Sequence, residues 1–541
     1  MGLIHNLKQA SRRAAVSTSL RAGQPPHATR ESLANWTRQH LGDRRVVIVS
    51  NRQPYSHTQG PNGLVSQRNA GGLTVALDAV AQAIGGVWVA HGSGDGDREA
   101  VDAHDRVGCP PGRSAYTLRR MWLSPEDHER YYAGFANGAL WPLCHIVYVR
   151  PRFERADWEQ YEDVNRRFAE AVLEEIGDEP ALVFVQDYHL ARMARYLRAA
   201  RPDLQIALFW HIPWPNSEVL RRLPWRDEVL DGMLACDLIG FHIPYYTQNF
   251  LHTVADSLEA RVDLEHHAVV REGHRTLVRD FPIGTDPDEI GEMAERPETA
   301  RAIEEWRRDL GLGDASIGLG IDRMDYTKGI PERLEALERF YELHPEWREK
   351  FRFVQVAVPS RIELSEYQAV AERVRTLVNR INTRFASNGL PLVHLIERNL
   401  DFPTLVPLYR MADLCMVTAL HDGMNLVAKE YVAARTDLNG ALILSPFTGA
   451  ARDLARAWIV SPYERDDLAG TIAAALTAPP EDRTSRMRDL RSVVYRRTIY
   501  DWATEVLDAA RTQEGARPRD GSAAEREVTE APPRRQKGGA S

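Results

Sequence analysis

The stretch Leu414–Arg435 reads LCMVTALHDGMNLVAKEYVAAR, and its character changes twice along its length. An apolar, partly β-branched run is followed by the turn HDGMN and then by residues with the helical spacing of apolar side chains. The pattern predicts a strand, a turn and a helix in direct succession. This is the repeating unit of α/β proteins with parallel sheets, in which ligands bind at the carboxyl ends of the strands.

The turn contains groups that suit an anion. The backbone N–H groups of Asn425, Leu426 and Val427 are expected to lie unpaired at the helix N-terminus, where the helix dipole also favours negative charge. Gly423 allows a ligand to approach the backbone closely, and Asp422 can accept hydrogen bonds from sugar hydroxyls. The turn therefore predicts a site for a phosphorylated sugar.

The same residues also have a structural interpretation, and at this point the two are equally good. Glu430, farther along the helix, can bind the two hydroxyls of a ribose. In the structural interpretation, Asn425 or Asp422 caps the helix and Glu430 lies on its solvent face. Motifs elsewhere in the chain are needed to choose between the ligand-binding and the structural interpretation.

The alternation continues through most of the chain. Longer segments such as 159–176 and 364–386 have helical spacing, and short β-branched runs lie between them. The predicted strands are 46–50, 87–91, 182–186, 206–211, 237–241, 316–322, 351–358, 392–396, 414–420 and 441–445. Two such series, separated near residues 280–287, predict two doubly wound α/β domains that face a cleft.

Composition narrows the class of protein. The 541 residues exceed the size at which a single core stops growing, and the 43% apolar and 27% charged residues are typical of soluble globular proteins. A net charge of −8 gives no reason to expect a nucleic acid or an acidic membrane as partner, and no apolar run approaches the ~20 residues that span a bilayer. The widely spaced cysteines predict a reducing, cytoplasmic location rather than disulfides or a zinc site. They are Cys109, Cys144, Cys236 and Cys415.

A second cluster of charged residues lies in the segment IDRMDYTKG, residues 321–329, which again runs from a predicted strand into a turn. Arg323 and Lys328 could both point into the cleft and neutralise a diphosphate as it leaves. For any single Arg/Lys pair, a solvated surface turn is the more common situation. The anion site predicted on the same domain favours the functional interpretation.

The N-terminal half places polar residues after several strands. Arg52 directly follows the first strand, Asp187 follows LVFVQ, and His211 ends IALFWH. Tyr132 and Trp141 lie in YYAGFANGALWP and would by themselves be interpreted as core aromatics. Each of these residues is more often structural when taken singly. Together, at the ends of so many strands, they indicate a binding site.

These motifs resemble the trehalose-6-phosphate synthase family of retaining glycosyltransferases, family 20. The resemblance covers roughly residues 45–510, and its most specific part is the combination of DGMNLVAKE with DYTKG. In chain order the matching motifs are SNR (50–52), AGGL (70–73), the Tyr132 and Trp141 spacing, QDYHL (186–190), HIPWP (211–215), PIG (282–284), DRMDYTKG (322–329), PSR (359–361) and DGMNLVAKEY (422–431).

The resemblance implies a GT-B fold of two Rossmann-like domains and transfer of glucose from a nucleotide-glucose, UDP-glucose above ADP- or GDP-glucose, to glucose 6-phosphate. The implied segments are a flexible basic extension (1–44), an acceptor-binding domain (45–279), a nucleotide-sugar-binding domain (280–495), a helix crossing back to the first domain (496–512) and a disordered tail (513–541). Removing residues 1–40 and 514–541 is then expected to preserve activity.

Carried over residue by residue, the resemblance also implies the roles of individual side chains. The implied catalytic residues are Asp187, His211, Arg323, Lys328 and Asp422. The implied donor-binding residues are Arg323, Lys328, Asp422, Gly423, Asn425, Leu426, Val427 and Glu430. The implied acceptor-binding residues are Arg52, Gly72, Tyr132, Trp141, Asp187 and Arg361. Gly72 is expected to leave room for the acceptor ring, and Arg52 and Arg361 to reach one phosphate from different domains when the cleft closes.

The resemblance implies no cofactor and no metal, because the leaving phosphate itself helps to deprotonate the attacking hydroxyl. The expected partners are the small-molecule substrates, with no nucleic acid and no membrane. A homo-oligomer is compatible with the sequence, and a separate phosphatase is expected to act on the product.

Departures from the family pattern keep a second acceptor open. His91 stands where the family commonly has Trp, His421 where Arg is usual, and Gln186 where His is common. LPWR (223–226) and residues 234–250 lean toward glucosylglycerol-phosphate synthases, which use glycerol 3-phosphate, whereas AGGL and Arg361 favour the trehalose branch. A catalytically silent sugar-phosphate sensor ranks lowest. Its expected sign, loss of a donor-site residue, is not seen at any of Arg323, Lys328, Asp422 and Glu430.

Overall fold

The first large sheet is built on the apolar run of residues 46–50, whose strand is buried on both faces. A computed structural model describes residues 27–61, 63–69, 71–386 and 389–512. The first sheet has ten strands, and β2 and β3 form a separate hairpin. In chain order these twelve strands are β1 Arg45–Arg52, β2 Tyr55–Gly60, β3 Gly63–Arg68, β4 Val87–His91, β5 Arg106–Cys109, β6 Tyr116–Met121, β7 Ala181–Gln186, β8 Gln205–Phe209, β9 Leu238–Phe241, β10 Arg261–Asp263, β11 Ala268–Arg271 and β12 His274–Asp280. The spatial order of the ten strands in the first sheet is β10-β11-β12-β9-β8-β7-β1-β4-β6-β5.

The seven strands from β12 to β6 pair in parallel, while β5, β10 and β11 add antiparallel edges. The second sheet is parallel throughout, with the order β15-β14-β13-β16-β17-β18. Its strands are β13 Ser316–Arg323, β14 Phe351–Val358, β15 Val393–Ile396, β16 Leu414–Val417, β17 Ala441–Leu444 and β18 Trp458–Ile459.

Helices connect the strands of both sheets. In the first half they are α1 Arg30–His40, α2 Gly72–Ile84, α3 Pro125–Asp127, a π-helical segment His128–Leu140, α4 Trp141–His145, α5 Arg155–Ile176, α6 Met193–Ala200, α7 Ser217–Leu220, α8 Arg226–Met233 and α9 Pro244–Ser257. In the second half they are α10 Pro287–Ala294, α11 Pro297–Asp309, α12 Ile330–Leu343, α13 Ser365–Phe385, α14 Phe402–Met411, α15 Leu426–Ala434, α16 Ala450–Asp453, α17 Arg465–Thr477, α18 Pro480–Arg496 and α19 Ile499–Arg511. Single 3-10 turns cover Tyr188–Leu190, Tyr326–Lys328 and Pro345–Trp347.

All ten predicted strands and the α/β class are confirmed. Two of the strands are shorter than predicted, because β8 ends at Phe209 and β16 at Val417, where the chain turns toward the cleft. The sequence did not predict β2, β3, β5, β6, β10, β11, β12 and β18. The hairpin is the clearest case: β3 is largely exposed, so it lacks the continuous apolar run that marks a buried strand.

The chain passes twice between the halves, and the two passages touch. A Cβ added at Gly284 would lie 2.2 Å from the carbonyl oxygen of Arg497, so only glycine fits between the two passages. After the second passage, α19 packs on the first sheet. Its buried Trp502 ring lies 5.6 Å from Phe184 and 5.0 Å from Phe209.

The flexible extension expected over residues 1–44 needs correction where the structure describes it. Residues 30–40 form α1, which begins with a reciprocal capping box between Thr29 and Ser32 and buries Leu33 completely. The Thr498 hydroxyl donates to the Ala28 carbonyl at 3.0 Å, which fastens this segment to the start of α19. The buried Leu33 and the capping box stabilise this helix although the segment is rich in polar residues. Residues 1–26 and the tail 513–541 lie outside the described residues.

All four cysteines are buried as free thiols. Within the described part of the chain, no helix has the length and apolar content needed to cross a membrane.

Candidate functional site

The strand–turn–helix unit of residues 414–434 lies at the centre of the cleft. The N–H of Asp422 donates to the Phe447 carbonyl at 3.0 Å, which joins this turn to the segment after β17. Asn425 adopts a left-handed φ of 77° and its side-chain amide donates to Asp422 at 3.0 Å. Among the described residues, the N–H groups of Leu426 and Val427 have no hydrogen-bond acceptor. The open helix N-terminus is therefore present.

Lys328 forms an ion pair with Asp422 from the neighbouring turn. Its Nζ lies 2.5 Å from Asp422 Oδ2, and both side chains are mostly buried. Burial raises the pKa of Asp422, but the charge of Lys328 and its hydrogen bond outweigh burial and lower the pKa to about 2. The pair keeps a fixed cation beside the open helix N-terminus.

His211 and Asp187 approach the same turn from the first half. A Cβ added at Gly423 would lie 2.0 Å from the His211 carbonyl oxygen, so the two halves are in direct backbone contact there. Asp187 has a φ of 75°, and its Oδ1 accepts the N–H groups of Tyr188 at 3.0 Å and His211 at 3.1 Å. Burial raises the pKa of Asp187 to about 6. Burial also holds the pKa of His211 well below its usual range, so the imidazole is neutral.

Arg361 crosses the cleft from the second half. Its guanidinium is buried, lies 4.1 Å above the Trp141 ring and donates to the Tyr188 hydroxyl at 3.2 Å. It is charge-paired with the buried Asp325 at 3.1 Å. Arg323 lies over the other side of this group, 5.2 Å from the Trp141 ring, with its side chain one-third exposed.

Three guanidinium groups surround Tyr132. Burial raises the pKa of this phenol, but the charges of Arg361, Arg52 and Arg323 outweigh burial and lower the pKa to about 8. The Tyr132 ring stacks on His189 at 5.7 Å, and burial together with the same three arginines holds the pKa of His189 well below its usual range. This concentration of positive charge around neutral rings suits a phosphorylated ligand.

Several buried polar atoms without a hydrogen-bond partner lie in the same region. Most buried polar groups in proteins are paired, so a cluster of unpaired ones indicates a place where a ligand binds. Among the described residues those in or beside the cleft are Trp141 Nε1, His145 Nε2, His189 Nε2, His242 Nδ1, Ser360 Oγ, Arg361 Nε and Asn425 Oδ1.

Glu430 lies on α15, beyond the turn of residues 421–425, which we call the donor turn. Its carboxylate accepts the Tyr409 hydroxyl at 2.7 Å, and burial raises its pKa to about 7. A Cβ added at Gly72 would lie 3.1 Å from Glu430 Oε1 and 3.1 Å from Leu426. Gly72 therefore lies against Leu426 and Glu430, and its expected place beside the acceptor ring stays a prediction. The contact arises because the helix that Gly72 begins, α2, faces α15 across the cleft.

The three departures from the family pattern each have a defined position. His421 donates through Nδ1 to the His145 carbonyl at 2.7 Å and so joins the halves. Gln186 Oε1 bonds His211 Nε2 at 2.9 Å. His91, at the end of β4, pairs in register with Arg52, and burial followed by the nearby His128 lowers its pKa to about 4. His91 thus offers a neutral ring beside Arg52.

Sequence reasoning did not single out Asp325, Tyr188, His189, Tyr367 and Tyr409, all of which contact the predicted site residues. Three of them lie inside quoted motifs, Asp325 in IDRMDYTKG and both Tyr188 and His189 in QDYHL, so a signal was available for them. Tyr409 lies in α14 and Tyr367 in α13, at helical core positions that carry no local sign of a site.

No group of three or more His, Cys, Asp or Glu side chains suited to a metal ion occurs within the ranges that the structure describes. The charge at the cleft is supplied by arginine, lysine and backbone amides.

The sequence is similar to known proteins over almost its whole length. The family description for glycosyltransferase family 20 matches residues 44–512. A trehalose-6-phosphate synthase of Mycobacterium sp. (strain KMS) is 40% identical over 486 residues, covering 88% of this chain and 97% of the relative. The trehalose-6-phosphate synthase of Mycobacterium leprae (strain TN) is 39% identical over 481 residues, covering 87% and 95%.

Solved structures agree with these relatives. An α,α-trehalose-phosphate synthase (UDP-forming) of Burkholderia xenovorans, in complex with glucose 6-phosphate, has a TM-score of 0.77 and 31% identity and covers 86% of this chain and 99% of its own. An E. coli protein of the same type, bound with UDP-2-fluoro glucose, has a TM-score of 0.75 and 31% identity over 86% and 99%.

Proposed function

The chain belongs to glycosyltransferase family 20 and has the GT-B fold of a retaining glycosyltransferase, and on this premise we propose that it transfers glucose from UDP-glucose to glucose 6-phosphate. The product is α,α-trehalose 6-phosphate, which keeps its phosphate until a separate phosphatase removes it. The observation that supports this proposal most strongly is the presence of two anion-binding regions on opposite sides of one cleft.

The donor region suits a nucleotide diphosphate. Lys328 and the free N–H groups of Leu426 and Val427 face the same turn, so a fixed cation and a helix N-terminus can share one diphosphate. Glu430, buried at the other end of the turn, has the position and the acceptor oxygens for the ribose hydroxyls.

The acceptor region suits a phosphorylated hexose. Arg52 and Arg361 come from different halves and both act on Tyr132, so one phosphate can meet both guanidinium groups. Trp141 and Tyr132 provide apolar surface beside those charges, which a sugar ring uses and glycerol 3-phosphate does not. Both relatives and both solved structures named above are described as trehalose-phosphate synthases or bound with the corresponding sugars.

Transfer with retention then needs positioning and charge more than a protein nucleophile. The bond from the glucosyl carbon to the diphosphate oxygen breaks while that carbon bonds to the acceptor hydroxyl on the same face, and the hydroxyl proton passes to the leaving diphosphate. Arg323 and Lys328 stabilise the charge that develops on the diphosphate. Asp187 is held by two backbone amides and orients a sugar hydroxyl. Asp422 is held by Lys328 and the Asn425 side chain and orients a hydroxyl on the donor side.

The test is direct competition between acceptors. Purified protein is given UDP-glucose with equal concentrations of glucose 6-phosphate and glycerol 3-phosphate, and the products are identified by mass. We expect trehalose 6-phosphate to dominate and free glucose to be a poor acceptor. Dominant glucosylglycerol phosphate would overturn the proposed acceptor while leaving the donor site in place.

A further inference from the structure

A buried triad of Asp, Arg and Gln lies directly behind the cleft arginine of the first half. Arg120, on β6, pairs with Asp97 at 2.9 Å, and both side chains are fully buried. Gln53 bonds both members, donating to Asp97 at 2.5 Å and accepting from Arg120 at 2.9 Å. Gln53 is the residue that follows Arg52. We call Gln53, Asp97 and Arg120 the first triad.

The second half has a triad of the same residue types, in which the arginine bonds both partners and the Gln amide donates to the Gly320 and Val356 carbonyls instead of to the Asp. Arg333, on α12, donates through Nη1 to Asp322 at 2.6 Å and to Gln355 at 2.8 Å. All three side chains are buried, and Gln355 has no exposed surface. Asp322 is the residue that precedes Arg323. We call Asp322, Arg333 and Gln355 the second triad.

Each central arginine also binds the backbone or side chains that form the cleft wall. Arg120 donates to the Tyr55 carbonyl at 3.2 Å and contacts His57 Nδ1 at 2.7 Å, both in β2 just beyond Arg52. Arg333 Nε donates to the Thr418 hydroxyl at 2.9 Å, in the segment that leads from β16 to Asp422. Each triad therefore hydrogen-bonds a chain segment next to a predicted ligand-binding residue: the first triad bonds β2, after Arg52, and the second bonds the segment before Asp422.

A glycine makes room for each triad. A Cβ added at Gly94 would lie 3.0 Å from the Asp97 carboxylate, and one added at Gly320 would lie 2.4 Å from Arg333 Nη1 and 2.6 Å from Gln355 Oε1. Both positions exclude larger side chains next to the buried charges.

We propose that the triads position the two cleft arginines, the first triad fixing Arg52 for the acceptor phosphate and the second triad fixing Arg323 for the donor diphosphate. The assignment of each triad to a substrate rests on the proposed function. Arg52 is exposed; its backbone is held by the Ser50 hydroxyl, which donates to the Arg52 carbonyl at 2.7 Å, and by the adjoining Gln53, whose side chain is fixed in the first triad. A support that fixes a binding group in advance lowers the cost of ordering it on binding.

The test is a pair of matched variants, Gln53→Met and Gln355→Met, which remove the amide and leave both ion pairs intact. For Gln53→Met we expect the KM for glucose 6-phosphate to rise about tenfold and the KM for UDP-glucose to stay within about twofold, the scale at which supporting groups act. For Gln355→Met we expect the opposite pattern. Gln205→Met serves as control, because Gln205 is equally buried but bonds Arg44 and the Arg511 carbonyl away from the cleft.

A purely structural role would lower thermal stability and would change the KM values for glucose 6-phosphate and UDP-glucose equally or not at all. Either of these KM results in a folded variant would therefore overturn the inference. Gln53→Asn and Gln355→Asn replace any Met variant that does not fold, and failure of these milder variants to fold also overturns it. If wild-type protein does not use glucose 6-phosphate, the proposed function fails first. The second triad is then judged by UDP-glucose affinity in calorimetry without acceptor, and the first by the KM of the acceptor that is used.

Discussion

Lys328 and Arg323 are both assigned to the donor diphosphate, yet they differ in their exposure and in their contacts with carboxylates. Lys328 neutralises the buried Asp422 at 2.5 Å, whereas Arg323 is one-third exposed and lies 3.9 Å from its nearest carboxylate, Asp325. The stability contribution of Asp422 follows from its lowered pKa. It is fully present above the ordinary carboxyl pKa and is lost as the pH falls through about 2.

We therefore predict different outcomes for two alanine variants assayed near neutral pH. Arg323→Ala should lower kcat by at least ~100-fold, the scale of losing one preorganised charge-stabilising donor, with little change in Tm. Lys328→Ala should lower kcat similarly and also cost roughly 3 kcal/mol of folding free energy, because it leaves Asp422 buried without its partner. Steady-state rates and thermal unfolding measure both. Near-wild-type rates in the two variants would remove the donor assignment.

Glu430 gives the donor site a pH dependence. Burial raises its pKa to about 7 in the free protein, so the carboxyl is largely protonated at pH 6 and largely ionised at pH 8. If the ionised form is the one that accepts the ribose hydroxyls, UDP-glucose affinity should rise about tenfold from pH 6 to pH 8 and then level off.

Isothermal titration of UDP-glucose without acceptor measures this, since the ligand itself does not titrate in the range. Glu430→Gln is the matched variant and should bind with an affinity independent of pH. An equal pH dependence in the variant would assign the effect to another group.

At the scale of single elements, α1 adds a stability cost to the truncation of residues 1–40, for which the expectation was preserved activity. The helix buries Leu33, and its preceding segment bonds Thr498 and pairs His27 with Asp288 at 2.9 Å. We predict that removing residues 1–26 leaves Tm unchanged, whereas removing residues 1–40 destabilises the fold by roughly 2–3 kcal/mol, the scale of one fully buried leucine. Chemical unfolding of the two truncations decides it. Equal stability would show that α1 only rests on the surface.

The elements that the sequence predicted are those with a local signal. Strands such as β1 and β14 are rich in apolar and β-branched residues, and the donor turn follows its strand directly, so pattern and position sufficed. The hairpin β2–β3 lacks that composition. The placement of Gly72 against Glu430, and the contact of Arg361 with Tyr188, join residues more than 150 positions apart. No periodicity within a window of the sequence contains such contacts, so they follow only from the tertiary fold.

At the scale of the whole molecule, the halves are in close backbone contact where Gly423 lies against His211. We predict that Gly423→Ala separates the halves and lowers kcat/KM by at least ~100-fold, since a misplacement of about 1 Å is enough for such a loss. The control is Gly470→Ala in α17, where an added Cβ meets nothing within 4 Å. That variant should keep full activity. An active Gly423→Ala variant would show that the halves need not meet there.

The late position of α19 in the chain has a consequence for how the protein is made. Phe184 and Phe209 belong to early strands, but the Trp502 ring that covers them is translated only after the whole second sheet. Domains generally fold as they are synthesised, beginning from the N-terminus. Here the first sheet must wait, with an apolar face uncovered, until the second half has been translated. Ribosome-bound chains stopped after residue 495 should therefore be digested readily in residues 181–209, whereas chains extended far enough past residue 511 for α19 to leave the exit tunnel should resist the same protease.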